Sequence, residues 1–122
     1  LRRSDAVNLD AAVHHYRAAL AIDPGNVTAN RRMGQIELSR GQYDEARGHL
    51  VAAYRVAPGQ RATRQLLNES LAITGDVAWA AGLWRTVSLD EDQLAIRRFW
   101  YESINDPIRA KRVGTAIALA RK

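Results

Sequence analysis

The stretch Val27 to Gln60, VTANRRMGQIELSRGQYDEARGHLVAAYRVAPGQ, decides the fold, because the chain matches itself at this length, 34 residues, through most of its extent. Ala12, Ala46 and Ala80 keep the spacing, as do Tyr16, Leu50 and Trp84, and Ala19, Ala53 and Val87; Pro24 and Pro58, and Gly41 and Gly75, repeat at the same step. Small side chains at the first and third of these sets allow helices to approach closely, and the bulky set fills the space between them. One amphipathic helical pair is therefore being repeated. Such a unit cannot bury its apolar face alone, so successive units must stack, and stacking builds an extended surface suited to binding another chain.

Turn signals divide the rest. Asp23-Pro24-Gly25-Asn26 and Pro58-Gly59-Gln60 break helices, since proline cannot continue one and glycine relieves the backbone restriction after one. Arg40-Gly41-Gln42 and Thr74-Gly75-Asp76 are tight turns inside a pair, Asp90 and Gln93 have the spacing of a capping box, and Asp106-Pro107 sets a capping acid before an N1 proline. The pattern predicts helices over residues 9–22, 27–40, 43–57, 61–74, 77–88, 91–104 and 107–121 and no strand. It predicts a single domain over 1–122, with a partial first repeat (1–26), a second (27–60), a third (61–94), and a degenerate fourth repeat or capping helices (95–122). The fourth unit aligns with the third at a step of 33, Arg64 to Leu71 against Arg97 to Ile104.

The middle unit carries Met33-Gly34 in its first helix, Gly41 in the turn, Tyr43 and Asp44-Glu45-Ala46 at the start of the second helix, then Leu50, Ala53 and Pro58. With these residues the chain resembles the tetratricopeptide repeat (TPR) proteins, most strongly over 9–88. The resemblance implies an all-α, right-handed superhelical array of antiparallel helix pairs, a TPR-like α-solenoid of about three and a half repeats. Departures occur at Asn30 and Arg64, where the family has a bulky aromatic residue, and at Asn68, where it prefers glycine.

Family resemblance further implies that the first helices line a concave groove that binds a peptide or partner protein. Its residues would be Thr28, Arg31 and Gln35 in the second unit and Gln65 and Glu69 in the third, where Arg31 and Gln35 offer donors for backbone and carboxylate groups. Helix 9–22 has lost its hairpin partner, so Val7, Leu9, Val13 and Leu20 are expected to leave apolar surface uncovered, which favours a homodimer through that helix. A chain that opens at Leu1 without the first helix of its first repeat reads as a segment of a longer protein. A structural or spacer role within a membrane-associated or multidomain protein is the alternative function.

Composition narrows the other classes. The formal charge is +5, but residues 1–61 carry nine basic and six acidic side chains and residues 62–122 nine and seven, so the excess is spread. Sixteen of the eighteen basic residues are arginine, which pairs readily with surface carboxylates, and a nucleic-acid partner is disfavoured. Electrostatic binding of anionic lipid or nucleic acid would fall to Arg109, Lys111, Arg112, Arg121 and Lys122. The longest runs without charge, Val77 to Trp84 and Val113 to Ala120, are far below the ~20 residues of a membrane span. No cysteine is present, and the compartment is left open. His15 and His49 occupy equivalent places in adjacent units, but Leu83 stands at the third and no acidic or cysteine ligand joins them, so no metal site is expected. The serines lie outside any nucleophile motif and no phosphate loop exists; catalytic residues, cofactors and enzymatic activity are not expected. In Phe99-Trp100-Tyr101 three consecutive aromatics cannot share one helix face; Trp100 is read as core, with Phe99 or Tyr101 covered by helix 107–121.

Overall fold

The computed structural model describes the backbone of residues 3–87 and 91–121, and the side chains of residues 8–85 and 92–121. Among the described residues are seven α-helices and no strand: α1 Arg3–Ile22, α2 Val27–Ser39, α3 Tyr43–Val56, α4 Arg61–Ile73, α5 Val77–Val87, α6 Glu91–Ser103 and α7 Pro107–Ala120. Six of the seven starts fall where the turn signals put them. The exception is α1, which begins at Arg3, six residues before the expected start, because residues 3–8 hold no proline or glycine to stop it. Asp90 of the expected capping box lies outside the described residues. The chain divides into two compact units, Leu1–Pro58 and Gly59–Lys122.

Helix ends are satisfied locally. Asn26 caps α2 by accepting from the N–H of Ala29 at 2.9 Å, and Asp106 caps α7 by accepting from the N–H of Arg109 at 3.2 Å, with Pro107 just inside. Three helices stop through a left-handed residue: Gly41 (φ 77°), Gly75 (φ 99°) and Asn105 (φ 59°). After each, an N–H reaches five residues back, Gln42 to the Glu37 carbonyl (2.9 Å), Asp76 to Leu71 (2.8 Å) and Asp106 to Tyr101 (2.8 Å). This satisfies carbonyls the helix itself leaves open.

In the first unit α1 packs on α2, and α2 on α3. Val13, Met33 and Ile36 form a buried cluster against which Leu9, Ala12, Tyr16 and Leu20 rest. Val13 is thus core, and the expectation that it leaves uncovered surface is wrong: α2 covers it. Val7 has no described side chain. Asn30, in place of the family's aromatic, is buried and donates through Nδ2 to the Pro24 carbonyl at 3.0 Å, tying α2 to the turn before it. Between α2 and α3 the approach is closest at Gly34, where an added Cβ would stand 2.4 Å from Cγ of Leu50; Ala46, Leu50 and Ala53 are fully buried there.

In the second unit α4 and α5 form the next pair, and α7 packs on α4, α5 and α6. Asn68 stands one period after Gly34. Its buried Nδ2 donates to the Ala80 carbonyl of α5 at 2.6 Å, so a hydrogen bond to backbone replaces the glycine contact of the preceding pair. The last pair departs from the expected step of 33. α4 and α6 both have 13 residues and start 30 apart, and the turn residues Gly75 and Asn105 are also 30 apart. The cause is α5, 11 residues against the 14 of α3. Tyr101 therefore takes the buried place corresponding to Leu71, while Trp100 is exposed, and reading Trp100 as core is corrected.

Two glycines of the first unit separate close packing from mere helix propensity. Gly34→Ala should destabilise the chain by about 1–3 kcal/mol, because Leu50 must move to admit the methyl group. Gly48→Ala, in α3 with nothing within 4 Å of the added carbon, should stabilise by about 0.5–1 kcal/mol. Denaturant unfolding of both variants checks the pair of signs.

The α2–α3 contact also holds a titrating group. Glu37 is buried, and its Oε1 meets Nδ1 of His49 at 2.5 Å. Burial raises its carboxyl above the ordinary 4.5; the His49 contact opposes the rise, as does Arg17, and Glu45 adds to it. A raised folded-state value makes this group's contribution to stability largest below about pH 4.5, and the contribution is lost as pH rises through the folded value. Thermal melts of wild type and Glu37→Gln should show the wild type losing ground to the variant as pH rises above about 4.5 and through the raised folded-state value. A pH-independent difference would contradict this assignment.

Candidate functional site

The expected binding residues lie on α2 of the first unit and α4 of the second. On α2, Ala29, Asn30, Met33, Gly34 and Ile36 to Leu38 turn inward as the buried cluster and α3 require, which leaves Thr28, Arg32, Gln35 and Ser39 on the exposed side. Arg31 sits at the border of that side, half-buried, with no hydrogen-bond or ion-pair partner among the described residues. Gln35 accepts from Nη1 of Arg32 at 3.2 Å. Thr28, Arg31 and Gln35 thus occupy neighbouring turns of one helix side, with donors in place and no carboxylate beside them.

Between α1 and α2 lies an open groove of about 380 Å³, with Leu9, Ala12, Tyr16 and Ile36 as its apolar floor and Arg32, Gln35 and Ser39 along one rim. Near it Arg40 pairs with Asp10 at 2.7 Å. This groove exists because Ala12 and Tyr16 are only half-buried, whereas their repeat counterparts Ala46 and Leu50 are fully buried under α2.

The α4 stripe is different. Gln65 is half-buried, and Glu69 is buried, with its Oε2 accepting from Nε of Arg97 of α6 at 3.3 Å. The carboxylate offered by the sequence as a surface group is engaged inside its own unit. Arg97 lies 28 residues away, so spacing along α4 gave no sign of this pairing.

Two of the three basic residues of α7 are likewise engaged. Arg112 donates through Nη1 to the Ile73 carbonyl at 3.1 Å, placing a cation at the C-terminal end of α4, where carbonyls are open and the helix dipole is negative. Arg109 pairs with Asp106 at 2.7 Å, and this guanidinium bond, followed by the backbone bond from the same residue, holds the Asp106 carboxyl below its usual range. Lys111 and Arg121 are exposed, and Lys122 lies outside the described residues. The cluster that made an anionic partner conceivable is therefore split between internal bonds and scattered exposed charges.

No group of three or more potential metal ligands occurs among the described residues, and His49 is held by Glu37. No described helix is long and apolar enough to cross a membrane. A comparison with curated proteins gives no match. The family profile described as tetratricopeptide repeat matches residues 5–70, more than half of the chain. Repeats of this family generally mediate protein–protein interaction. The repeated hairpin, its glycine turn and the profile match agree, and the chain belongs to the tetratricopeptide repeat family.

Proposed function

We propose that the chain is a protein–protein interaction module in which the exposed side of α2 binds an extended segment of a partner, with Thr28, Arg31 and Gln35 as its contacts. The observation that supports this reading is the state of Arg31. Arg40, Arg97, Arg98, Arg109 and Arg112 all bond to groups within the fold, whereas Arg31, like Arg64 of α4, is half-buried and has no partner among the described residues, and Arg31 alone of these two stands beside Thr28 and Gln35. Its stem is already ordered against protein, so a carboxylate reaching its fork meets a donor with part of its conformational freedom already lost. Gln35 and Thr28 supply the neutral donors and acceptors that a peptide backbone requires.

Gln65 and Glu69 are the counterparts of Arg31 and Gln35 one period later. Within the second unit Gln65 is the uncharged contact of the α4 side. Glu69, held by Arg97, shapes the α4 side rather than binding directly.

An extended peptide with a free C-terminal carboxylate and acidic residues at alternate positions is the probe. Fluorescence anisotropy should show Arg31→Ala weakening its binding by about tenfold or more, the scale of one charge-assisted hydrogen bond. The melting temperature should fall only slightly, through lost packing of the stem, since Arg31 has no hydrogen-bond or ion-pair partner among the described residues. Equal affinity for wild type and variant would remove the reading.

A further inference from the structure

The side of α6 turned away from its own unit is apolar and exposed. Ile96 is 59% exposed, Phe99 72% and Trp100 52%, and Ile104, just past the helix, is 48% exposed. On a helix that turns about 100° per residue, Ile96, Phe99 and Trp100 fall within one 100° sector, opposite the sector that holds the buried Leu94 and Tyr101. Ser103 lies in the same sector, and Asp92 and Gln93 extend it towards the start of the helix. The arrangement is a product of the short α5: with the last pair four residues early, α6 buries Tyr101 and turns the two aromatics before it outward.

We infer that this face is the contact between two copies of the chain, with α6 packed antiparallel to α6 of the second copy across a two-fold axis that passes between Ile96 and Trp100. Two observations select a second copy. The first is area. Ile96, Phe99, Trp100 and Ile104 offer on the order of 500 Å² of apolar surface, already at the size that marks an interaction site on a monomer. With the polar rim of Asp92, Gln93 and Ser103 the face comes to roughly 700 Å² per copy, near the ~800 Å² that each side of a stable interface contributes.

The second is charge. A two-fold axis sets each residue near its own copy, so a charged centre would repel itself; no charged residue stands between Ile96, Phe99 and Trp100 in this sector, whereas the chain as a whole carries +5. Arg97 points inward to Glu69, and Arg98 is bonded to Glu102 at 3.0 Å on the α7 side. An anionic membrane would need cations along the same face, and the nearest, Arg98 and Arg121, border Phe99 only on its α7 side, where Arg98 is already paired with Glu102. In the antiparallel arrangement Ile96 meets Trp100 of the second copy, and Gln93 meets Ser103. This surface is separate from the α2 side and does not depend on the peptide-binding reading.

Sedimentation equilibrium over a concentration series to about 1 mM should show the mass rising from 13.6 kDa towards twice that value. Phe99→Ser and Trp100→Ala should each weaken association at least tenfold, with the melting temperature retained at concentrations where the chain is monomeric, because both side chains are exposed there. The chain has no cysteine, so Gln93→Cys and Ser103→Cys variants test the orientation directly: an equimolar mixture should form a disulfide-linked dimer that neither variant forms by itself. A monomer at every concentration overturns the inference, and co-sedimentation of that monomer with anionic vesicles through Trp100 would assign the face to lipid instead. A dimer indifferent to both aromatic substitutions, or cross-linking by each cysteine variant separately, overturns it as well. Arg31→Ala should leave the mass unchanged, and Phe99→Ser should leave peptide affinity unchanged, so failure of one reading is distinguishable from failure of the other.

Discussion

The contact of Gly34 with Leu50 sets the distance between α2 and α3, and much of the first unit follows from that distance. Helices this close leave room only for small side chains, which is why Ala46 and Ala53 flank Leu50 at full burial. The same proximity brings Glu37 under His49 and turns the other side of α2 outward. One period later the chain solves the problem differently. Asn68 fills the glycine slot and donates to the Ala80 carbonyl, which offsets part of the cost of burying a polar group where van der Waals contact stood, while its Oδ1 is buried without a partner.

Most helix limits, though not the start of α1, were legible because they have a chemical cause within a few residues: proline that cannot continue, glycine that tolerates positive φ, Asn26 and Asp106 that cap. Pairing was legible from the 34-residue register. The roles of Asn30 and Asn68 were not, since a buried amide is recognised only by the carbonyl it reaches, and neither Pro24 nor Ala80 is marked by sequence as an acceptor. The last pair was misread by three residues. Apolar residues recur on α7 at both steps, and nothing local announces that α5 is a turn shorter than α3. That single length change exchanges the fates of Trp100 and Tyr101.

The candidate site shows the same division. Exposure of Thr28 and Gln35 follows from the helical period once the core side of α2 is known. Glu69 and Arg112 depend on residues 28 and 39 positions away, so their charges looked available along the sequence and are engaged in the fold. Arginine supplies internal bonds to carboxylates and helix-end carbonyls, and the net charge of +5 is a poor guide to what the surface binds.

If the closeness of α2 and α3 is the governing constraint, its two sides must be energetically coupled. A double-mutant cycle of Gly34→Ala with Leu50→Ala, followed by denaturant unfolding, measures this directly. Leu50→Ala removes the atoms that an added Cβ at position 34 would strike, so Gly34→Ala should lose its cost in that background, with a coupling of about 1–3 kcal/mol. Strict additivity of the two substitutions would contradict the packing on which this account rests.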